Sequence, residues 1–156
     1  MKTKTNKRIV LSKKYIVELE SILHLSTHAV CAIFASDCAN HVLEILEHDF
    51  EINYQAKHAI LAPHRWVSHD ISMIESRVYA QKIHVIAKDE ENLALKYLYR
   101  ACGHAAATPH VKKHAIHATN YAIKSLLSLK SGDTEDVEEN ERKWQIKRLL
   151  DLGLKA

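Results

Sequence analysis

Residues 26–50, STHAVCAIFASDCANHVLEILEHDF, are the longest strongly patterned stretch of the chain. Apolar side chains recur there at alternating steps of three and four, which is the spacing of one face of an α-helix. The positions on that face are Val30, Ile33, Phe34, Asp37, Cys38, His41, Val42, Ile45 and Leu46. Alanines beside the face allow neighbouring helices to approach closely. We therefore predict a central, buried helix over residues 26–50, around which the rest of the chain packs.

Asp37 and His41 are the two ionisable residues on this otherwise apolar face, and they lie one helical turn apart. An ionisable group on a buried face is costly unless it is paired or hydrogen-bonded. The pattern therefore predicts a polar pair set into the packing surface of the central helix.

The remaining residues favour an all-α fold. Three glycines and two prolines leave little material for tight turns, and no segment alternates polar with apolar residues as a strand does. A chain of 156 residues can bury one core without disulfides or a structural metal. We predict a single-domain bundle of six or seven helices over residues 12–156, preceded by a basic N-terminal tail over residues 1–11.

The other helix starts are predicted from capping chemistry. The proposed caps and first residues are Ser12, Asn53, Ser68 or Asp70, Asp89, Thr108 with Pro109, and Thr134. Pro63 predicts a kink or a break, because proline has no backbone N–H and disfavours helical geometry in the residue before it.

Three further expectations concern burial and helix ends. The helix that ends near Ala87 is predicted to be buried through Ile71, Ile74, Val78 and Val85. Val111 and Leu150 are predicted to face inward on the last two helices. Ser131, Gly132 and Asp133 are the clearest loop, and Gly153 is predicted to end the last helix near Leu152.

Charge and cysteine content narrow the class of protein. The formal net charge is only +3, and basic residues are not interleaved with aromatic ones, so nucleic-acid binding has little support. Cys31, Cys38 and Cys102 are odd in number and show no CxxC spacing, which favours buried, reduced thiols and a cytoplasmic protein. No signal peptide and no stretch of 18 apolar residues is evident, so we expect neither secretion nor a membrane span.

Histidines are the most conspicuous candidates for a site, since the chain has 12 of them. His110 and His114 are one turn apart, a spacing that can present two imidazoles to one metal ion, and Asp37 with His41 could complete the site from a facing helix. No HExxH motif supports this, so a hydrogen-bonded core pair or a solvated helix face is the favoured interpretation, and we expect no cofactor.

Catalysis by an Asp37–His41 dyad, or by Cys38 with His41, is also geometrically conceivable. Cys38 lies on the predicted buried face, however, and a buried cysteine packing as a small apolar residue is the commoner case. The structural interpretation is therefore preferred for all three residues.

Three segments, taken in order, resemble the signatures of a known family. The segments are ASDCANHVLEILE at 35–47, RACGHAAATPHVKKHA at 100–115, and Glu141, Arg142, Trp144 and Gln145 near the end. They are similar to those of a bacterial family of small helical proteins described as putative immunity proteins of polymorphic toxin systems. The resemblance covers about residues 27–150. Pro109, where the family usually has a helix-forming residue, and Cys102, where it often has alanine, depart from the pattern.

The resemblance implies an all-α fold and a protein that neutralises a toxin. Asp37, Cys38 and His41 correspond to the first signature. The second signature maps onto Gly103, His104, His110 and His114, and Glu141, Arg142, Trp144 and Gln145 make up the third.

Three functional hypotheses follow. The leading one is a non-catalytic cytoplasmic protein that binds a toxin domain, with Asp37, His41, His104, His110 and His114 as one internal polar network that joins two central helices. The alternative is a small metal-dependent or Cys/His enzyme that uses the same residues. A third is a helical scaffold that forms a homo-oligomer.

Overall fold

The computed structural model describes residues 8–129 and 134–155. Within these ranges the chain forms seven α-helices and no strand, which confirms the all-α class. The helices are α1 (Ile16–Leu25), α2 (His28–Leu46), α3 (Tyr54–Val67), α4 (Met73–Asp89), α5 (Leu93–Ala107), α6 (His114–Leu127) and α7 (Thr134–Lys155). The loop predicted at 131–133 and most of the predicted basic tail lie outside the described residues.

α2 is the central helix, since it packs against α3, α5, α6 and α7. It begins after Thr27, whose hydroxyl accepts a hydrogen bond from the backbone N–H of Val30 at 3.1 Å. It ends at Leu46, earlier than predicted, because residues 47–50 form turns. Among the described residues, α2 is the one helix long and apolar enough to cross a membrane, and 56% of that stretch is buried within the protein, as in the core helix of a bundle.

The buried face of α2 is rotated relative to the predicted one, and it also includes Cys31, Ala39 and Leu43. Phe34, Cys38 and Val42 are fully buried, but Asp37 and His41 are only partly buried and Ile45 is 40% exposed. The prediction that Ile45 is buried is therefore wrong. Ile33, Asp37, His41 and Ile45 follow one another at steps of four and form the edge of the buried face, not its centre.

Buried serines connect neighbouring helices. Each donates its hydroxyl to a backbone carbonyl across a helix–helix contact: Ser36 to Ile60 at 2.9 Å, Ser76 to Ala106 at 2.7 Å, and Ser125 to Ala94 at 2.7 Å. A buried hydroxyl must be hydrogen-bonded. These bonds therefore fix the spacing of α2 with α3, and of α5 with both α4 and α6.

Several predicted helix starts are corrected by the structure. Asn53 caps α3 as predicted, accepting from the N–H of Gln55. Ser12 does not cap α1, which begins at Ile16 without a side-chain cap. α4 is capped by Ser72, not by Ser68 or Asp70, because Ser72 and Glu75 form a reciprocal capping box.

Later in the chain, Asp89 is the last residue of α4, and Asn92 caps α5 by accepting from the N–H of Leu95. The predicted cap at Asp89 is therefore wrong.

Thr108 and Pro109 end one helix and do not begin the next. α5 stops at Ala107, and the Thr108 hydroxyl donates back to the carbonyl of His104 at 2.9 Å. Residues 108–113 form turns, so α6 begins only at His114. The helix is therefore interrupted at Pro109, as expected where a proline would remove a backbone donor.

Two further predicted interruptions do not occur. α3 continues through Pro63, and α7 continues through Gly153 to Lys155. α3 instead ends at Val67, with Ser68 as its C-cap, followed by His69 at φ 64°. The N–H groups of His69 and Asp70 donate to the carbonyls of Trp66 and Arg65 respectively, which is the bonding of a Schellman motif.

The largest correction concerns the buried face of α4. Ile71, just before the helix, is buried as predicted, but Ile74 is 68% exposed, Val78 42% and Val85 65%. The residues that face the core are instead Ser76, Ala80, Ile83 and Ala87. These are mostly small, so α4 packs closely on α3 and α5 with the opposite side to the predicted one. Val111 and Leu150, also predicted to face inward, are exposed.

Candidate functional site

The predicted single polar network is divided into two separate clusters. Asp37 and His41 contact residues of α7, whereas His104 and His114 contact other histidines. Among the described side chains, no hydrogen bond or ring contact joins one group to the other. His110 is exposed and makes no contact of either kind with these clusters. We call the first group the α7 interface and the second the histidine cluster.

In the α7 interface, Asp37 is held by an arginine that the sequence analysis did not single out. Nε and Nη2 of Arg148 both lie 2.7 Å from Oδ2 of Asp37. Nε2 of His64 lies 3.7 Å from the other carboxylate oxygen. Charge-assisted bonds of this kind are stronger than neutral ones. Arg148 is seven positions after Glu141, so helical spacing places it on the same side of α7 as the third signature.

His41 joins the first signature to the third. Its Nδ1–H donates to Oε1 of Glu141 at 2.7 Å, and its ring stacks on Trp144 with 3.8 Å between centroids and 7° between planes. Burial raises the pKa of the Glu141 carboxyl, and the bond from His41 opposes that rise. The contacts fix the orientation of the imidazole on two sides.

Arg142 is a fully buried arginine at the same interface. Its Nη1 donates to the Thr119 hydroxyl at 3.1 Å and to Oε1 of Gln145 at 3.0 Å, and its Nη2 donates to Oδ1 of Asn120. Gln145 in turn donates to the carbonyl of Thr119 at 3.1 Å. Nε of Arg142 is the buried side-chain polar atom, among those described, that has no hydrogen-bond partner. Burial lowers the pKa of this guanidinium, and the charges of neighbouring carboxylates oppose that decrease.

Cys38, the thiol of the first signature, is fully buried between these groups. Burial raises its pKa well above the ordinary value, and the nearby charges of Glu141 and Asp37 raise it further. Burial also raises the pKa of Cys31 and of Cys102, and all three thiols are free. A nucleophilic cysteine needs a lowered pKa and some exposure, so this environment is that of a packing residue.

The histidine cluster contains His84, His104, His114 and His117, from α4, α5 and α6. The His104 ring is at the centre, with centroids 5.2 Å from His84, 5.2 Å from His114 and 5.1 Å from His117. Nδ1 of His104 and Nδ1 of His114 are 2.9 Å apart, so one donates to the other. The opposite contact of His104 is a stacked Tyr121 ring at 5.3 Å.

Because Gly103 has no side chain, the ring of His84 can pack against it within the cluster. A Cβ at position 103 would lie 2.4 Å from Nε2 of His84, closer than atoms of neighbouring side chains can approach. On its other side, Nδ1 of His84 accepts a hydrogen bond from Nη1 of Arg100 at 2.9 Å. Gly103 belongs to the second signature, but the roles of His84 and Arg100 are not evident from the sequence, because nothing in the local sequence shows which side chain approaches a glycine.

Three histidines of the cluster, His84, His104 and His114, are held in the neutral form. Burial lowers the pKa of His84 to about 4, and the charge of Arg100 adds to the effect. Burial, followed by the influence of His84 and His114, lowers the pKa of His104 to about 3. The pKa of His114 is lowered as well, mainly by burial. Near neutral pH, His84, His104 and His114 are therefore uncharged, hydrogen-bonded rings.

The candidate metal ligands of the sequence analysis are not assembled into a site. Asp37 and His41 are bonded to Arg148 and Glu141, His114 is bonded to His104, and His110 is exposed. Among the described residues, no group of three or more histidine, cysteine or acidic side chains is arranged to hold a metal ion.

A cleft of about 980 Å³ lies between α1 and the start of α6. Val17, Leu25, Lys113 and Ile116 are among the residues of its wall, and His117 brings the edge of the histidine cluster to it. Lys112, also part of the wall, donates to the carbonyls of His24 and Ser26.

Both polar clusters lie in the part of the chain that matches a known protein family. A family model described as Imm-5 like putative immunity protein matches residues 21–152. The chain belongs to this family. The match spans α2 to α6, the second half of α1 and most of α7, so both polar clusters of this Imm-5 like protein lie within it. Searches of curated proteins and of solved structures found no significant match.

Proposed function

We propose that this chain is an immunity protein that neutralises a bacterial toxin by direct association in the cytoplasm, without catalysis of its own. The observation that carries the proposal is the family match over residues 21–152, which contains all three signatures. A protein partner is what membership of an immunity family implies.

The contacts of the signature residues support a binding protein. Asp37 is bonded to Arg148, His41 to Glu141, and His104 to His114, so these polar groups are used between helices. A polar network that is internally bonded makes a core rigid and specific. In this proposal the signatures maintain the bundle, and its outer surface contacts the toxin.

The enzyme alternative has a weaker basis in the same contacts. Cys38 is fully buried with a raised pKa, and Asp37 is engaged by a guanidinium and is not positioned to orient His41. A thiol catalyst would be alkylated quickly by iodoacetamide at neutral pH. We expect Cys38 to react only when the protein is denatured, and rapid modification of the native chain would favour the enzyme.

Co-purification from the native cell tests the proposal directly. The chain, tagged at its C-terminus and expressed at ordinary levels, is purified, and the proteins that elute with it are identified by mass. The same sample is assayed for zinc, iron and manganese. We expect a stoichiometric partner with a domain that arrests growth when expressed alone and no longer does so when this chain is co-expressed.

A chain that elutes alone with near-stoichiometric metal would contradict the proposal and favour the metal-dependent enzyme. A partner whose expression is harmless would also contradict toxin neutralisation. The growth assay therefore distinguishes an immunity protein from a general binding protein.

A further inference from the structure

The outward side of α4 carries an apolar stripe that the fold does not use. Ile74, Val78 and Val85 lie at steps of four and seven and are 68%, 42% and 65% exposed. They point away from Ser76, Ala80, Ile83 and Ala87, which face the core. Branched side chains on a solvent-exposed helix face are poor helix formers, so the stripe has no benefit for the isolated fold. The exposed Gln81 lies between Val78 and Val85 on the same side, so the stripe is a cluster of apolar side chains within a polar surface. Exposed apolar clusters rimmed by polar residues are typical of interaction sites.

The outer side of α3 continues this surface. Tyr79 of α4 links the two helices: its ring meets that of His58 edge-on at 6.2 Å, and its hydroxyl accepts from Nη1 of Arg65 at 3.4 Å. Leu61 of α3, which is 54% exposed, lines a different groove together with Glu44 and Glu47. We call the surface formed by α4 and the His58–Arg65 side of α3 the α3–α4 face, with Ile74, Val78 and Val85 as its apolar residues.

The α3–α4 face is basic. Arg65, Arg77, Lys82 and Lys88 are exposed along its length. α3 contains no acidic residue, and those of α4 are Glu75, which is engaged in the capping box, and Asp89 at its last position. A binding partner of this face therefore needs acidic residues around an apolar centre.

The acidic start of α7 differs from the α3–α4 face, because other parts of the chain contact its carboxylates. The backbone N–H of Ser12 donates to Glu138 at 2.5 Å, and the Tyr15 hydroxyl donates to Glu139 at 2.6 Å. Lys14 and Lys143 also lie within 3.5 Å of Glu139. Glu139 is therefore paired with two lysines within the molecule, whereas Arg77 and Lys88 of the α3–α4 face are exposed.

We infer that the α3–α4 face is the docking surface for the toxin, and that the toxin surface it fits is apolar at its centre and acidic at its rim. This inference rests on the proposed function. A nucleic acid would match the basic residues but would leave Ile74, Val78 and Val85 without an apolar partner, so a protein partner is favoured.

The test uses the toxin domain that co-purifies with the wild-type chain, purified separately, and measures its Kd by calorimetry. Val78→Glu places a carboxylate at the centre of the face. Its matched control is Leu150→Glu on α7, since Leu150 is 47% exposed, close to the 42% of Val78. We expect Val78→Glu to weaken binding more than ~10-fold, as for a central interface residue, and Leu150→Glu to change it less than ~2-fold.

A second pair of variants tests the contribution of the basic residues of the α3–α4 face. Arg77→Glu should weaken binding roughly 10-fold and make it less sensitive to salt, whereas Lys147→Glu on the exposed side of α7 should have little effect. Circular dichroism and thermal unfolding establish that each variant is folded. If Val78→Glu is unfolded, Ile74→Ala with Val85→Ala replaces it.

Three outcomes would overturn the inference. Unchanged Kd values for folded variants of both Val78 and Arg77 would place the toxin elsewhere while leaving the proposed function intact. A wild-type chain that binds no toxin domain would contradict both. Binding of a 20-base-pair DNA or RNA duplex by the wild type, lost in Arg77→Glu, would identify the face as a nucleic-acid site.

Discussion

The α7 interface and the histidine cluster use different chemistry to accommodate polar side chains between packed helices. Both place polar side chains from the signatures between helices of one bundle. At the α7 interface, Asp37 and Glu141 are held by Arg148 and His41, so stability depends on charge. In the histidine cluster, His84 and His104 pack as neutral rings, because burial lowers their pKa values to about 4 and about 3. Histidine therefore serves as a donor to a carboxylate in one region and as an uncharged packing group in the other.

The largest expected effect comes from Arg142→Met. The substitution removes the buried donor for Asn120, Thr119 and Gln145 and leaves their oxygens without that partner. We expect the free energy of unfolding in urea to fall by about 3 kcal/mol or more. Lys143→Met, at the exposed neighbouring position, should change it by less than about 0.5 kcal/mol. Equal midpoints for the two variants would show that the network is not stabilising.

Gly103→Ala tests the histidine cluster in the same way. The added Cβ would lie 2.4 Å from Nε2 of His84, so His84 must move, at a cost of about 1–3 kcal/mol. Gly153→Ala is the control, because no atom lies within 4 Å of the Cβ it adds inside α7, and it should stabilise by up to about 1 kcal/mol. His84→Ala should reduce the penalty of Gly103→Ala in a double-mutant cycle. Strictly additive effects would refute the proposed contact.

Asp37→Ala removes the ion pair with Arg148, which is partly exposed to solvent. We expect a loss of more than ~1 kcal/mol, because Arg148 and His64 lose a carboxylate at a half-buried position. A cycle with Arg148→Ala separates the pair from the effect of removing either side chain. An unchanged denaturation midpoint for Asp37→Ala would argue that the interface is held by packing alone.

The dependence of stability on pH separates the two regions most cleanly. His84 and His104 have folded-state pKa values of about 4 and about 3, whereas the ordinary value for histidine, expected in the unfolded chain, is 6.5. The unfolded chain therefore binds more protons as the pH falls from 6.5 towards 4, and the folded state loses stability over that window. The raised pKa of Glu141 acts with the opposite sign above its ordinary value of 4.5.

Chemical unfolding of the wild type and of His104→Phe at several pH values measures the contribution of the cluster. Phenylalanine keeps a ring beside Tyr121 but binds no proton, so its stability should fall less steeply below pH 6.5. His48→Gln, at an exposed position, should leave the slope unchanged. Identical slopes for His104→Phe and the wild type would mean that the cluster does not titrate as described.

The sequence predicted the fold class, the central helix and the family, because these depend on helical periodicity and on ordered motifs. It failed on α4, since Ile74, Val78 and Val85 show the same apolar periodicity whether they face the core or solvent. Arg148 could have been found from its helical spacing to Glu141. His84 could not, because its position depends on a close approach to Gly103 that exists only in the folded chain.

The contacts between α2 and α7 can form only after α7 has been synthesised, so they are late contacts in the folding of a newly made chain. Asp37 and Arg148 are separated by 111 residues, and His41 and Glu141 by 100. At typical rates of translation, the partner of Asp37 is made roughly 5 to 20 s after it. The helices between them can pair with their neighbours in sequence, but α2 keeps an open edge until the last helix leaves the ribosome. Newly made chains therefore pass through a period in which this edge is accessible to proteases and chaperones, and α7 ends that period.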